Sequence, residues 1–340
     1  MMNISDKIDC LSHLGAQLTE DLQSGAITDT MVLASNKNPW FTLDNIQKAL
    51  KSIAREFLNR DHLSDLADQY SLNGTKSKRV GLVLAGNIPA VGLHDILCAF
   101  LCNHISIIKY SSKDDVLIPT LLEKLVDINQ AAAPYFEKVE KLVDFDAVIA
   151  TGGNNTSKYF EYYFRNVKHI IRKSRSSIAV LGGNETDSDL MNLGDDITSY
   201  FGLGCRNVSQ VLVPRDYELP RLLSVMEAFD DLSNHHKYRN NFDYNMALFL
   251  LNKETFLNNG CLLLKEDEQI ASRIACLHYQ RYHSDVDLIH YLDHNKDSIQ
   301  CVVSNKSIKG YDCVPFGKAQ QPSLMDYADG VDTIQFLLSI

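Results

Sequence analysis

The sequence predicts an α/β protein with mainly parallel sheets, and two observations carry this prediction. Short apolar segments alternate with helical segments from residue 80 onward, which is the pattern of βαβ units. Turns that contain glycine or asparagine follow several apolar segments, and ligands bind at such positions in parallel sheets. We expect a Rossmann-like domain with N-terminal helices over residues 1–180 and a second α/β domain over residues 181–340.

The elements of the first predicted domain follow in chain order. Leucine and isoleucine recur at helical spacing among charged residues over 1–70, and a turn at Asn73-Gly74 ends this helical region. The apolar segments that follow predict strands at Val80–Ala85, Ile105–Lys109, Ala147–Ala150, Val167–Ile171 and Ile178–Leu181, with helices at Ala90–Cys102, at Val116–Ile128 and from the turn Thr151-Gly152-Gly153 to about Arg165.

The second predicted domain begins near Gly182-Gly183, where the character of the sequence changes. The same rules predict strands at Val208–Val213 and Met246–Leu251, with helices near Asp195–Phe201 and around Glu266–Tyr282. This domain is therefore also expected to be α/β.

The bulk composition argues against several classes of protein. The 340 residues are 45% hydrophobic and carry a formal net charge of -10, which disfavours binding to nucleic acid. The mostly apolar stretch 80–108 is interrupted by polar residues such as Asn87 and Asp95, so we expect no membrane span. The first residues are polar and acidic and carry no signal-peptide pattern, so we expect a cytoplasmic protein.

Among the eight cysteines, Cys205 is the candidate for chemistry. No CxxC pair occurs, so we expect no metal site and, in a reducing cytoplasm, thiols that are not in disulfides. Cys205 follows Gly202 and Gly204 and precedes Arg206. Glycines let a substrate approach closely, and a neighbouring cation favours the thiolate that attacks carbonyl carbon. A structural thiol in a loop fits the same pattern.

Polar residues also follow three of the predicted strands. Asn87 can donate its side-chain amide to a developing oxyanion, or it is an ordinary turn asparagine. The turn Thr151-Gly152-Gly153 precedes a helix, so its N–H groups can face a pyrophosphate. The residues suited to hydrogen bonding with an adenosine ribose are Lys109, Ser111, Ser112 and Lys113.

In this order, these segments resemble the aldehyde dehydrogenase superfamily. The matching positions are Asn87, Lys109, Thr151-Gly152-Gly153, Gly182-Gly183 and Cys205. Within the superfamily, Phe316–Leu324 and Tyr327–Thr333 resemble the acyl-CoA reductase (LuxC-type) family. The resemblance implies an aldehyde-dehydrogenase-like fold, in which the first domain binds a nicotinamide cofactor and the second holds the catalytic cysteine.

Two positions differ from the oxidising members of the superfamily. Those enzymes carry a glutamate that activates water, and Ile171 stands at the corresponding position, so the resemblance implies reduction instead of oxidation. Glu185 and Asp187 are the nearest carboxylates, either as proton shuttles or as turn residues. Ser112 and Lys113 lack the glutamate that repels a 2′-phosphate, so NADP(H) is favoured over the alternative, NAD(H).

The resemblance thus implies NADPH-dependent reduction of a fatty acyl-CoA or acyl-carrier-protein thioester to the aldehyde. Cys205 is the implied nucleophile, and the Asn87 amide and the Cys205 N–H are the implied oxyanion donors. Three alternatives stay open: a cysteine-dependent acyltransferase or thioesterase that uses His94 or His278, a non-catalytic partner subunit, and an aldehyde-oxidising enzyme. A homo-oligomer also stays open. The chain is shorter than typical members of the family, and this suggests a trimmed oligomerisation hairpin, which counts against the usual dimer.

Overall fold

The computed structural model describes residues 2–70, 72 and 76–340, so the predicted turn at Asn73-Gly74 lies outside the described residues. Contacts divide the chain into unit 1 (Met1–Ser174 with Pro322–Ile340) and unit 2 (Arg175–Gln321). The sequence prediction put the boundary at 180/181 and kept residues 322–340 with the second domain. The structure groups 322–340 with unit 1, because Leu324, Ile334 and Leu337 are buried in that unit's core. It groups residues 175–180 with unit 2, because the strand 176–180 pairs within that unit's sheet.

Unit 1 begins with a set of packed helices. They are α1 (Ile4–Ser24), α2 (Thr28–Lys37), α3 (Leu43–Ser52) and α4 (Arg60–Gln69), with a π-helical turn at Ile53–Phe57. Asn3, Thr42 and Asn59 start three of these helices, because each side chain accepts a hydrogen bond from a backbone N–H of the first turn. The apolar faces of the helices contribute to the core of unit 1.

A five-stranded parallel sheet follows in unit 1, with the order β3-β2-β1-β4-β5. Its elements are β1 (Arg79–Val83), α5 (Leu93–Leu101), β2 (Ile105–Lys109), α6 (Leu117–Ile128), β3 (Phe136–Lys138), β4 (Ala147–Thr151), α7 (Asn154–Phe164) and β5 (Lys168–Arg172). This is the strand order of the Rossmann fold. Because the strands are parallel, the segments after β1, β2, β4 and β5 share one edge of the sheet, which we call the carboxyl edge.

Unit 2 is built on a seven-stranded sheet, with the order β12-β11-β6-β7-β10-β9-β8. Its elements are β6 (Ser176–Val180), α8 (Asp187–Thr198), β7 (Val208–Pro214), α9 (Leu219–Met226), α10 (His236–Leu251), β8 (Phe256–Asn258), β9 (Leu263–Glu266), β10 (Cys276–Tyr282), α11 (Asp285–Asn295), β11 (Ile299–Val303) and β12 (Cys313–Val314). Strand β8 pairs antiparallel with β9, and the other pairs are parallel. The last helix, α12 (Thr333–Leu338), belongs to unit 1.

The predicted α/β class and most predicted elements are confirmed, with boundaries that differ by a few residues. Two predictions in unit 2 are wrong. Met246–Leu251 is the last part of helix α10 and not a strand, since the buried residues Tyr238, Phe242 and Phe249 recur along one helical face. Residues 266–282 are not a helix, because Cys276–Tyr282 pairs with β7 and β9.

The helix predicted near Asp195–Phe201 begins earlier, at Asp187, where Thr186 and Asp189 form a capping box. No helix within residues 2–70 and 76–340 is long and apolar enough to cross a membrane. The eight cysteines all lie in the described part of the chain, and none forms a disulfide.

Candidate functional site

The carboxyl edge of the unit 1 sheet gathers the predicted cofactor residues. Lys109 ends β2 opposite Val83 of β1, and Ala150 pairs both with Val83 and with Ile171 of β5. The segments 84–90, 110–114 and 151–153 therefore emerge side by side. They carry Asn87, Ser111, Ser112, Lys113, Thr151, Gly152 and Gly153.

At Gly86 the backbone of segment 84–90 lies directly against segment 110–114. A side chain at this position would place its Cβ 2.5 Å from Ser111 Oγ and 2.7 Å from Ser111 Cβ, so only glycine fits. Beside it, the Ala90 N–H donates to Asp114 Oδ2 at 2.7 Å. Burial raises the pKa of the Asp114 carboxyl to about 7. The Asn87 segment is thus held against the loop that follows β2.

The polar side chains on this edge face solvent to different degrees. Asn87, Lys109, Ser112 and Lys113 are exposed, whereas Ser111 is half-buried. Ser111 Oγ accepts a hydrogen bond from the Lys113 N–H at 3.3 Å. Exposed cations and hydroxyls around a turned backbone suit an anionic, hydroxyl-bearing ligand.

The turn after β4 leads into α7 and leaves the start of this helix open. The Gly152 N–H donates to the Arg172 carbonyl at 3.1 Å, which fixes the turn to the end of β5. No side chain caps the first turn of α7 within the described residues, and a Cβ placed on Gly153 would meet only Ser174 Oγ, at 3.9 Å. An uncapped helix start with room for close approach fits a dinucleotide pyrophosphate.

Ile171 lies at the end of β5, beside this turn, so the position compared with the water-activating glutamate is apolar. The next residue, Arg172, is buried. Its guanidinium donates to Asp95 Oδ2 at 2.6 Å and to Thr333 Oγ1 at 2.9 Å. The positive charge of Arg172, next to Ile171, is therefore paired with Asp95 inside unit 1. Thr333, in the segment 322–340, accepts a second hydrogen bond from the same guanidinium.

Cys205 is half-buried in the loop that leads from α8 into β7. Three hydrogen bonds hold the backbone and flanks of this loop. Ser177 Oγ donates to the Cys205 carbonyl at 3.1 Å, and the Gly204 N–H donates to Asn207 Oδ1 at 2.8 Å. Arg206 Nε donates to the Ala319 carbonyl at 2.5 Å. The thiol is carried by a fixed backbone and not by a loose loop.

The chain reaches Cys205 through a strained turn. Tyr200, Phe201 and Gly202 have φ values of 51°, 58° and 75°, and two consecutive non-glycine residues in this region are unusual. The Phe201 ring packs on His235 with centroids 4.4 Å apart. The buried Asn207 amide donates to the carbonyls of Asp196, Ile197 and Ser199. Such strain is maintained only where the surroundings enforce it, which is common at functional sites.

Gly182-Gly183 and Glu185 lie away from Cys205 within unit 2. The glycines follow the carboxyl end of β6, whereas Cys205 precedes the amino end of the parallel strand β7. At about 3.3 Å per residue, the five residues of β6 separate these two edges by roughly 16 Å. The Glu185 carboxylate accepts the N–H groups of Gly182 at 2.5 Å and Gly183 at 3.1 Å. Glu185 thus secures the turn, and neither it nor Asp187 is placed to shuttle protons to Cys205.

The two histidines considered for an acyltransferase are engaged elsewhere. His94 Nε2 hydrogen-bonds with the Leu324 carbonyl at 2.8 Å, and its Nδ1 lies 3.7 Å from Cys98 Sγ. His278 Nδ1 hydrogen-bonds with the Gln269 carbonyl at 2.6 Å. Burial lowers the pKa of both imidazoles. Both rings are built into their own unit's interior.

Sequence reasoning missed the residues that support Cys205. Ser177, Asn207 and Asp196 are buried and polar, and each contacts the backbone of the α8–β7 segment or of the loop 317–319. Only Asn207 could have been found from the sequence, because it stands two positions after the candidate nucleophile. Ser177 and Asp196 contact residues that are distant in sequence, so no local sequence pattern indicates their role.

One known family and one curated relative resemble this chain. A family model described as acyl-CoA reductase (LuxC) matches residues 21–223, which is more than half of the chain and includes Asn87 and Cys205. The long-chain acyl-protein thioester reductase of Aliivibrio fischeri is 27% identical over 207 residues, a match that covers 55% of this chain and 42% of that protein. The chain therefore matches less than half of the length of this relative.

Solved structures of aldehyde dehydrogenases have the same fold. Aldehyde dehydrogenase 21 from Physcomitrella patens, in complex with the reaction product succinate, gives a TM-score of 0.70 at 11% identity and covers 99% of this chain and 84% of its own. The Mycobacterium tuberculosis aldehyde dehydrogenase complexed with NAD+ gives 0.65 at 12% identity, covering 89% and 73%. The predicted aldehyde-dehydrogenase-like fold is confirmed.

Proposed function

Because the chain belongs to the acyl-CoA reductase (LuxC) family, we propose that it reduces an acyl thioester to an aldehyde with a nicotinamide cofactor. The observation that carries the proposal is the anchored loop of Cys205, which lies within the family match. A half-buried thiol on a fixed backbone, next to a cation in the chain, suits nucleophilic attack on a carbonyl.

In the proposed mechanism, the Cys205 thiolate attacks the carbonyl carbon of an acyl-CoA or acyl-carrier-protein thioester. A new C–S bond forms, and the C–S bond to the carrier breaks and releases the carrier as a thiolate, which takes a proton from water. The Asn87 amide and the Cys205 N–H are proposed to donate to the oxyanion of this step. A nicotinamide cofactor at the carboxyl edge of the unit 1 sheet would supply a hydride to the carbonyl carbon of the acyl-cysteine. The C–S bond to Cys205 then breaks, which releases the aldehyde and returns the Cys205 thiolate.

The proposed cofactor residues are those at the carboxyl edge of the unit 1 sheet. Lys109, Ser111, Ser112 and Lys113 would hold the adenosine end, and Thr151, Gly152 and Gly153 would present the start of α7 to the pyrophosphate. We propose NADPH over NADH, because the exposed Lys113 adds a cation where a 2′-phosphate is expected. The M. tuberculosis neighbour, complexed with NAD+, supports a nicotinamide cofactor on this fold.

The apolar Ile171 supports reduction as the direction of the reaction. Water activation needs a general base near the acyl-cysteine, and an isoleucine supplies none. The acyltransferase alternative loses support, because His94 and His278 are both hydrogen-bonded to carbonyls in the interior of their units.

A panel of acyl-CoA chain lengths, each assayed by NADPH and by NADH consumption with aldehyde detection, tests the proposal. We expect wild-type protein to consume NADPH with thioester, and Cys205→Ala to fall to the uncatalysed background. Cys313→Ala, which changes another half-buried thiol on β12, serves as the matched control and should retain activity. Thioester-dependent NADPH oxidation by Cys205→Ala would contradict the mechanism.

A further inference from the structure

The loop 317–319 connects a buried carboxylate to the candidate nucleophile inside unit 2. Asp196, on α8, is only 1% exposed. Its Oδ2 accepts the Gly317 N–H at 2.6 Å, and its Oδ1 accepts the Ala319 N–H at 3.0 Å. The Ala319 carbonyl in turn accepts Arg206 Nε at 2.5 Å, and Arg206 directly follows Cys205.

We infer that Asp196 is a positioning residue that fixes Arg206 beside Cys205 through the loop 317–319. This inference rests on the proposed function of Cys205 and gives a role to the Phe316–Leu324 segment, which the proposed mechanism does not use. The carboxylate acts through the loop, because it accepts the N–H groups of Gly317 and Ala319.

The geometry of the loop explains why a carboxylate is needed. Two N–H groups that point at one buried site need two acceptor oxygens, and a carboxylate supplies both with charge-assisted hydrogen bonds. An amide supplies one oxygen, and its NH2 group would face the second N–H. The isosteric change to asparagine therefore releases one end of the loop with little change in volume.

Releasing the loop frees the carbonyl that holds Arg206. Arg206 is half-buried, and its guanidinium donates to the Ala319 carbonyl, so displacing this carbonyl removes a contact that orients the guanidinium. A cation held near a thiol favours the thiolate, and one that moves into solvent is screened. The expected consequence of Asp196→Asn is a less reactive Cys205 in a folded protein.

The test measures iodoacetamide labelling of individual cysteines at neutral pH by peptide mass spectrometry. In Asp196→Asn we expect Cys205 labelling to slow about tenfold relative to wild type, while the labelling of Cys313 in the same molecules stays unchanged. Arg206→Gln should slow Cys205 to a similar extent. The double variant should be no slower than Arg206→Gln alone, because both changes break one chain of contacts. Asp195→Asn, the exposed neighbour on α8, is the matched control.

A second variant reaches the same loop if Asp196→Asn does not fold. Gly317 has a φ of 79°, and a Cβ added to it would lie 3.1 Å from Asn192 Cβ, so Gly317→Ala displaces the loop from the other side. We expect the same selective loss of Cys205 labelling. Steady-state assays should show a lower kcat with an unchanged KM for NADPH.

Two results would overturn the inference. One is Cys205 labelling within about twofold of wild type in folded Asp196→Asn or Gly317→Ala. The other is a double variant in which Cys205 labelling is slowed by the product of the two single-variant factors, because such independent effects would not share one chain of contacts. Cysteine labelling does not require reductase activity. If the wild type does not reduce thioesters, the proposed function is refuted, but the labelling rates still test the role of Asp196.

Discussion

At the scale of single residues, Lys7 is a lysine buried in the core of unit 1. Its ammonium donates to Asn103 Oδ1 at 3.0 Å and lies 4.7 Å from the centroid of the Tyr135 ring. Burial lowers the pKa of Lys7 to about 8, so the folded state binds this proton less tightly than the unfolded chain does.

This lysine makes a pH dependence testable. Because the folded pKa lies below the unfolded one, the contribution of Lys7 to the free energy of unfolding should rise by about 2 kcal/mol as pH increases from about 8 to 10. Lys7→Met should lack this rise, and the exposed Lys51→Met should keep it. Urea unfolding at pH 7, 8.5 and 10 measures the difference, and equal slopes for wild type and Lys7→Met would contradict the prediction.

Asp114 predicts a dependence of the opposite sign. Burial raises the pKa of this carboxyl to about 7, so the folded state holds the proton that the unfolded chain releases. The contribution of Asp114 to the free energy of unfolding should therefore fall by about 3 kcal/mol as pH rises from about 4 to 7. Asp114→Asn keeps an oxygen for the Ala90 N–H and should be more stable than wild type at pH 8 but not at pH 4.

The control for Asp114 is its neighbour Asp115. Asp115 is partly exposed and pairs with Lys37 at 2.9 Å, so Asp115→Asn should show no gain at pH 8. Thermal unfolding midpoints of the three proteins at both pH values decide the matter. A stabilised Asp115→Asn would mean that the effect comes from net charge and not from burial.

At the scale of elements, the close approach of Gly86 to Ser111 couples the segments after β1 and β2. Gly86→Ala would press a methyl group on the Ser111 side chain, so the two segments must separate. We expect NADPH affinity to fall at least about tenfold, measured by cofactor fluorescence. The double variant Gly86→Ala/Ser111→Gly lacks the Ser111 side chain that the new methyl group would contact. It should therefore regain part of the Asp114–Ala90 hydrogen bond, and its melting temperature should be higher than that of Gly86→Ala alone.

The elements that sequence predicted well are those whose pattern is local. The βαβ segments of unit 1 are short, apolar and punctuated by turns, so residues 105–109 are a strand as predicted. The run Met246–Leu251 is apolar throughout and fits either a strand or a helix, and its helical form follows from residues upstream such as Tyr238 and Phe242. Cys276–Tyr282 is a strand because of its partners β7 and β9, which are distant in sequence.

The same distinction applies to the candidate site. Asn87, Lys109 and the Thr151-Gly152-Gly153 turn were found from their places after strands, and the parallel register gathers their segments on one edge. Gly182-Gly183 belongs to the same superfamily pattern as Cys205, yet strand direction puts these glycines at the opposite edge of the unit 2 sheet from the thiol. The order and direction of the strands decide at which edge of the sheet a loop lies, and a short sequence motif does not contain this information.

At the scale of the whole molecule, unit 1 depends on a segment that follows unit 2 in the chain. Thr333 accepts a hydrogen bond from Arg172, the Tyr70 hydroxyl donates to Asp332 at 2.6 Å, and His104 Nε2 hydrogen-bonds with the Leu337 carbonyl at 2.9 Å. These contacts, together with the buried Ile334 and Leu337, tie 322–340 to unit 1.

Deleting residues 322–340 should therefore destabilise unit 1 selectively. Removal of three buried aliphatic side chains, Leu324, Ile334 and Leu337, and of one hydrogen-bond partner of the buried Arg172 costs of order 10 kcal/mol. Hydrogen exchange should show faster exchange in β1 and β4, with β7 and β10 unchanged. Uniform acceleration in both units would show that they unfold as one.

The way the chain enters and leaves unit 2 also orders events during synthesis. All of residues 175–321 emerge from the ribosome before 322–340 do, although 322–340 complete the core that residues 2–174 begin. Unit 2 has its whole sheet available first, while the core of unit 1 still lacks the buried side chains of 322–340. Unit 1 is therefore completed after unit 2, although most of it is synthesised earlier. A nascent chain stalled before residue 322 exposes the apolar side chains of unit 1 that 322–340 would cover to chaperones.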